Sequence, residues 1–234
     1  MRSRVVTTVN VKIDLAHRNN YGSSRDLSKI KYLVIHYTGN DGDSDEGNAN
    51  YFNAYRGVSA HYFVDDDSVT QSVPDGCEAW AVGGAKWADC SKTGGGKYYN
   101  KCVNRNSISV ELCDTVRDGK YGFTEKTLEN AAELCRMLVD RYKIKPENII
   151  RHFDVTGKTC PAPFVHDEKA WEAFKERIVG EVVEKGTVIV DGKKHEVSMI
   201  RKDGVTYIKT RDMADKLGYK IGNQGKIPVF TKEK

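Results

Sequence analysis

From Thr124 to Tyr142 the apolar residues Leu128, Ala131, Ala132, Cys135, Leu138, Val139 and Tyr142 recur at the i, i+3, i+4, i+7 spacing of a helix with one apolar face. Thr124 is placed to cap its start, and Lys145-Pro146 stops it. A helix apolar along one seam has to bury that seam, and the flanking sequence offers a sheet to cover it. Residues 30–38, IKYLVIHYT, read as a buried strand rich in β-formers, residues 107–112, SISVEL, alternate as a strand should, and residues 148–152, NIIRH, read as a short buried strand. Residues 59–64, a turn at Asp65-Asp66-Asp67 and residues 69–73 read as a hairpin. The expected class is therefore α/β, a central mixed β-sheet flanked by helices.

The remaining elements fit around this centre. A short strand is expected within residues 5–15. Ser44 caps a helix with Ala49, Phe52 and Tyr55 on its apolar face, and Gly57 stops it. From Pro74 to Asn106 the chain reads as a long loop carrying Trp80, Trp87 and Tyr98. Aromatics in such a loop line a groove for sugar or peptide, or pack beneath the loop. Asp167 caps a last helix with Trp171, Phe174 and Ile178 on one face, which runs out near Glu184-Lys185-Gly186. A larger domain is thus expected over 1–183 and a small α+β domain over 187–234. The small domain reads as strands at 187–190, 196–200 and 206–209 with turns at Asp191-Gly192 and Asp203-Gly204. A helix at 211–217 follows, capped by Thr210 and closed by Gly218, then two short strands around residues 222–225. About 45 residues is marginal for independent folding, which favours docking or self-association.

Composition removes several function classes. With 39% hydrophobic and 30% charged residues among 234, the chain reads as an ordinary soluble globular protein. No run approaches the ~20 apolar residues of a membrane span, and residues 1–15 hold no apolar stretch of signal-peptide length. The expectation is a protein made in the cytoplasm without a signal peptide. The net charge of +4 lies in residues 181–234, with 12 Lys and Arg against 8 Asp and Glu, the rest being balanced at 25 each. That bias suits weak attraction to an anionic surface and is far from the dense basic stripe of a nucleic-acid binder. The six cysteines, at 77, 90, 102, 113, 135 and 160, form no CxxC pair, so neither a zinc ribbon nor a thioredoxin-type motif is present. Cys113 and Cys135 read as small buried hydrophobes, and the pairing of Cys90 with Cys102 stays open.

Chemistry concentrates in residues 148–164, NIIRHFDVTGKTCPAPF, where His152 stands at the end of a strand and Lys158 and Cys160 follow before two prolines that cannot continue a regular element. One loop presents an imidazole and a thiolate to the same ion. Catalytic zinc sites use three protein ligands and leave a fourth position to water, and His36, His152 and Cys160 meet that count. Any one of them alone is more often a satisfied polar residue than a ligand. A metal mechanism also needs a proton carrier and a cation for the developing oxyanion, and Glu111 and Lys158 are the residue types required. Sequence spacing does not show that residues 36, 111, 152, 158 and 160 converge on one point.

The motifs YLVIHYT at 32–38, VSAHYFVDDDSVTQSVP at 58–74, AWAVGG at 79–84, NSISVEL at 106–112 and HFDVTGKTCPAPF at 152–164 occur in an order that resembles the zinc N-acetylmuramoyl-L-alanine amidases of the T7-lysozyme and peptidoglycan-recognition-protein type. The resemblance spans roughly residues 28–178. It implies zinc held by His36, His152 and Cys160, with Lys158 and the strand glutamate Glu111 in catalysis. Ala60 stands where T7-type enzymes carry a tyrosine, which leaves proton transfer to Glu111. Trp80-Ala81-Val82-Gly83 replaces the Trp-His-Ala-Gly of many relatives, and His61 reads as a structural or supporting residue. Residues 187–234 resemble the small domain at the N-terminus of copper amine oxidase-like proteins of Gram-positive bacteria. That likeness implies no copper and suits attachment to anionic wall polymers. The resemblance implies a peptidoglycan hydrolase of the phage or prophage endolysin branch that acts on the cell wall after release from the host cytoplasm. The alternatives are a cytosolic muropeptide-recycling amidase and a non-catalytic peptidoglycan-binding module.

Overall fold

A computed structural model describes residues 10–180, 184–190, 192–202, 205–224 and 227–232, and divides the chain into two compact units, Met1–Val179 and Gly180–Lys234. In the first unit β1 (Val11–Ile13) and β2 (Tyr21–Ser24) lead to β3 (Tyr32–Tyr37) and helix α1 (Asp45–Tyr51). Then come β4 (Tyr62–Val64), β5 (Val69–Gln71), β6 (Cys77–Ala79), a single turn α2 (Cys90–Thr93) and β7 (Ser107–Leu112). The hairpin β8 (Thr115–Arg117) and β9 (Lys120–Gly122) precedes the long helix α3 (Glu125–Tyr142). Strand β10 (Ile149–Arg151) and helices α4 (His152–Thr156), α5 (Ala162–His166) and α6 (Glu168–Val179) complete the unit.

Six strands form one mixed sheet in the order β1-β5-β4-β7-β3-β10. Four of its five pairings are parallel, and only the β4–β5 hairpin is antiparallel. The alternation of side chains then sorts the strands into two faces. Leu33 and Ile35 of β3 with Ile108, Val110 and Leu112 of β7 enter one core together with Leu134, Cys135 and Leu138 of α3 and Trp171, Phe174 and Ile178 of α6. Val34 and Ile150 face the other way, onto Val82, Cys102 and Val155. The Thr124 side chain accepts from the Thr127 amide at the start of α3, as its position in sequence predicts, and Asp167 accepts from the Ala170 amide at the start of α6.

Several local expectations give way to the structure. The helix capped by Ser44 ends at Tyr51, so Tyr55 lies outside it and is exposed, while Ala49 is fully buried. The segment 74–106 is not a bare loop: β6 pairs antiparallel with β2, a partner more than fifty residues away that local periodicity cannot reveal. His152 begins a helical turn rather than a loop. Pro161 and Pro163 do not end structure but sit at the entry of α5, where a missing N–H costs nothing. Of the leader strand expected over 5–15, residues 11–13 are strand and residues 5–9 lie outside the described residues. All six cysteines are free thiols, Cys90 and Cys102 included.

The second unit holds the antiparallel sheet β11 (Glu184–Val190), β12 (Lys193–Lys202) and β13 (Val205–Ile208), then α7 (Thr210–Leu217) and the hairpin β14 (Tyr219–Gln224) and β15 (Ile227–Lys232). Val197, Met199 and Ala214 are its buried apolar side chains among the described residues. The unit begins at Gly180, a few residues before the expected 184–186, because α6 stops at Val179 and residues 184–186 already belong to β11. Thr210 is the first residue of α7 rather than its cap; Lys209 occupies that position without a capping hydrogen bond from its side chain. Asp191, the Asp203-Gly204 turn and Gly225 lie outside the described residues. Among the described residues no helix is long and apolar enough to cross a membrane.

Candidate active site

Parallel register builds the site. His36 pairs with Glu111 across β3 and β7, so both side chains leave the same face, opposite the one covered by α3. Strand β10 pairs with β3 up to Arg151↔Ile35, which brings His152, one residue further on, alongside His36. The carboxyl ends of three adjacent parallel strands therefore deliver two imidazoles and a carboxylate to one place, where open α/β sheets bind their ligands. The chain then turns through α4, and Gly157 closes it with φ +90°, a value open to glycine. Cys160 returns beneath His36.

The His36 Nδ1 lies 3.7 Å from the Cys160 Sγ and 3.8 Å from the Glu111 Oε1. The His36 and His152 ring centroids are 4.7 Å apart. One donor atom from each of His36, His152 and Cys160 falls within 4.8 Å of the others, and all three residues are buried. A tetrahedral ion with nitrogen at ~2.0–2.1 Å and thiolate at ~2.3 Å has an N···S edge of about 3.6 Å, close to the separation seen here. Both ring nitrogens of His152, Nε2 of His36 and Oε2 of Glu111 are buried without any hydrogen-bond partner. Orphaned buried polar atoms are costly. A cation held by His36 Nδ1, one His152 ring nitrogen and the Cys160 sulfur gives one of the orphaned His152 nitrogens a partner, so the residues fit a metal.

The electrostatics agree. Burial, reinforced by His152 and Lys158, holds His36 well below the ordinary histidine range, and burial with Lys158 lowers His152 to about 4. Both rings are thus neutral and able to donate lone pairs. Burial pushes Cys160 up to about 12, with Glu111 adding to the rise and the Tyr37 backbone and Lys158 opposing it. Glu111 is pushed up to about 8 by burial against the opposing charge of Lys158, with Asp43 and Asp114 adding to the rise. A buried group of this kind acquires its thiolate when a cation arrives. Lys158 is exposed and lines a cavity with His152, so it stands beside the cluster rather than in it. His61 is not part of the group. Its Nδ1 accepts from the Ser109 amide at 3.1 Å, and its Nε2 lies 3.2 Å from the Cys77 carbonyl and 2.8 Å from Arg25. Burial and Arg25 lower its pKa to about 3, which makes it a neutral structural ring.

Two supports escape a reading of the sequence. Arg151 is buried and gathers the pieces around His152: it bonds both Asp154 oxygens, the Phe164 carbonyl at 2.8 Å and Glu168 at 2.7 Å, and its guanidinium lies 5.4 Å from the centroids of Phe153 and Trp171. Removing one member of such a network strands the others. Arg151→Met is expected to cost about 3 kcal/mol of unfolding free energy, and Arg151→Lys to recover little of it because an ammonium cannot reproduce the fork. Denaturant unfolding of the two variants checks this. Asp114, fully buried, accepts from the Thr38 hydroxyl and the Gly39 and Asn40 amides, which ties down the chain leaving β3. A third missed feature, the β8–β9 hairpin that sets Tyr121 against Tyr37, was signalled by Asp118-Gly119.

Comparison with known proteins places the geometry in context. Residues 26–163, more than half of the chain, match the N-acetylmuramoyl-L-alanine amidase family. The N-acetylmuramoyl-L-alanine amidase CwlL of Bacillus licheniformis is 34% identical over 158 residues, covering 65% of this chain and 41% of that protein. The chain spans about two fifths of the length of CwlL and of a second, probable N-acetylmuramoyl-L-alanine amidase of Bacillus licheniformis. The solved structure of a mutant endolysin from Bacillus subtilis is similar with a TM-score of 0.56 at 26% identity, covering 73% of this chain and 99% of that one. The structure of PlyL gives 0.56 at 29% identity, covering 75% and 99%.

Proposed function

The chain belongs to the N-acetylmuramoyl-L-alanine amidase family, and from that premise we propose that it hydrolyses the amide joining the lactyl group of N-acetylmuramic acid to the L-alanine of the stem peptide, as a zinc-dependent phage or prophage endolysin. The observation that carries this reading is the buried His36, His152 and Cys160 group, with both His152 ring nitrogens unpartnered and Glu111 beside it.

When bound by these three residues, zinc supplies Lewis acidity that lowers the pKa of a water and polarises the scissile carbonyl. Glu111 takes the attacking water's proton on Oε2, the oxygen that has no other partner, and the new C–O bond forms. The same oxygen passes the proton to the alanine nitrogen as the C–N bond breaks, so the amine leaves neutral. The Lys158 ammonium, which bears on His36, His152, Cys160 and Glu111 alike, offsets the negative charge on the former carbonyl oxygen. Parallel strands hold His36, Glu111 and His152 rigidly, and this rigidity preorganises the step.

Purified peptidoglycan incubated with the protein is expected to release new N-terminal alanine, with mass analysis locating the cut between sugar and peptide. New reducing sugar ends without free alanine would assign the protein to a different bond. The 180–234 unit is assigned an attachment role on anionic wall polymers, on the strength of its basic bias and its resemblance to the copper amine oxidase-like N-terminal domain. Deleting residues 187–234 is expected to weaken co-sedimentation with walls; unchanged sedimentation would remove that role.

A further inference from the structure

Charge in the amidase unit is balanced as a whole, yet one exposed segment of it is not. Between Gly83 and Lys101 the chain holds Lys86, Lys92, Lys97 and Lys101 against a single acid, Asp89. All four lysines are exposed, and none has a carboxylate partner among the described residues. The backbone that carries them is firmly held. The Trp87, Gly96 and Tyr98 amides donate to the Thr156, Phe153 and Asp154 carbonyls at 2.8, 3.0 and 2.8 Å, which laces the segment along α4. Gly95 lies so close to that helix that a Cβ would meet the Gly157 Cα at 2.8 Å and the Phe153 ring at 2.9 Å. At Gly96, where φ is +72°, a Cβ would stand 2.5 Å from the Lys86 Cε, so the Lys86 stem crosses Gly96 and comes alongside Lys97. The Lys97 Nζ lies 5.6 Å from the Tyr98 ring centroid, and the Lys101 amide donates to the Tyr98 carbonyl at 2.9 Å. Tyr98 is pinned in turn by its hydroxyl, which donates to the Glu147 carbonyl at 2.9 Å. Lys86, Lys97 and Lys101 thus gather around one fixed ring.

Uncompensated ammonium groups on a rigid surface attract a polyanion, and their type says which one. An ammonium is a compact point charge, suited to a chain of single charges, whereas a guanidinium adds a planar fork that grips and stacks. The next cation along the chain, Arg105, is tied to Glu78 at 2.8 Å. Single-stranded nucleic acid needs exposed aromatic faces on which successive bases stack. Tyr98 meets Tyr32 edge to face at 5.8 Å and carries Lys97, so it offers no such face. Trp87, the other ring of the segment, is turned to the cavity it shares with His152. A polyol phosphate has the charges and no bases. We infer that residues 86–101 form a docking surface for a linear polyol-phosphate polymer of the poly(glycerol phosphate) kind, its phosphates lying across Lys86, Lys97 and Lys101 with Lys92 at the margin. This surface belongs to the amidase unit and is separate from the attachment role of residues 180–234. Because α4 begins at His152, a polymer held on it keeps the catalytic site against the wall, and two attachments on one chain strengthen each other.

Lysine acetylation of the full-length protein, followed by mass spectrometry with and without poly(glycerol phosphate), tests this. The polymer is expected to slow modification of Lys86, Lys97 and Lys101 several-fold and to leave Lys29 and Lys120, which are also exposed, at their free rates. Protection should vanish near 1 M salt, where the Debye length is about 3 Å. The combined variant Lys86→Gln, Lys97→Gln and Lys101→Gln keeps the backbone contacts with α4 and should raise the Kd for the polymer on the order of tenfold at low salt. It should also release alanine more slowly from walls that carry phosphate polymer, and at the parent rate from the same walls stripped of it. Protection confined to the lysines of residues 180–234, or a parent-like Kd in the triple variant, overturns the surface. So does stronger protection of these lysines by single-stranded DNA or by phosphatidylglycerol vesicles than by the polymer at equal phosphate. Protection and Kd need no catalysis, so the surface can fail while alanine is still released, and it can hold where no alanine is released.

Discussion

Cys160→Ser is expected to lose bound zinc on dialysis and to lower alanine release on the order of a thousandfold or more. Three donor atoms make up the candidate metal group, and the sulfur is the one placed 3.7 Å from His36 Nδ1. A serine oxygen sits on a shorter bond and ionises far less readily than a thiol, so the variant supplies neither the reach nor the negative charge. The fold should hold, since Cys160 adds little volume to the apolar clusters and the Phe153 amide bonds its carbonyl rather than its side chain. Zinc content by atomic absorption and alanine release are measured together, and protein treated with a chelator should behave like the variant. Undiminished alanine release in both preparations would sink the metal mechanism.

Glu111→Gln is expected to keep the metal and lose turnover by about 10²–10⁴, the usual worth of a positioned proton carrier. The substitution preserves shape and the strand register with His36, so it isolates the proton from the ion. The measurement is kcat on purified walls beside zinc content. Loss of both together would mean that Glu111 holds the metal group in shape, and an unchanged kcat would move proton transfer to another residue. The contrast between the two substitutions is the useful result, because one removes the ion's holder and the other removes only the group that works beside it.

Much of the architecture was legible because short-range patterns carry it. The α3 seam, the alternation of residues 107–112 and the β-rich run ending in His36 each state their own element. The β3, β7 and β10 strands, the α3 helix with its Thr124 cap and the β4–β5 hairpin appear where periodicity puts them. What failed to show is pairing at long range. The β2–β6 contact, the bracing of residues 87–98 on α4 and the Arg151 network all join residues whose partners have no regular spacing in the chain. The prolines at 161 and 163 misled for a related reason: proline ends a helix from inside but starts one from its first turn, and the local sequence is the same in both cases.

For the site, the sequence by itself determined the candidate side chains His36, Glu111, His152, Lys158 and Cys160 and, through the order of the surrounding motifs, the family. Residue type and motif order are local properties that survive without coordinates. Only the tertiary structure decided that four of the five meet. The parallel register of β3 with β7 and β10 is set by burial on both faces of the sheet, and it aligns His36 with Glu111 and with His152. The turn through Gly157 then brings Cys160 back beneath them, while Lys158 stays at the cavity edge. Convergence of this kind is a property of packing, in which residues 36 and 160 become neighbours because the core between them has one low-energy arrangement.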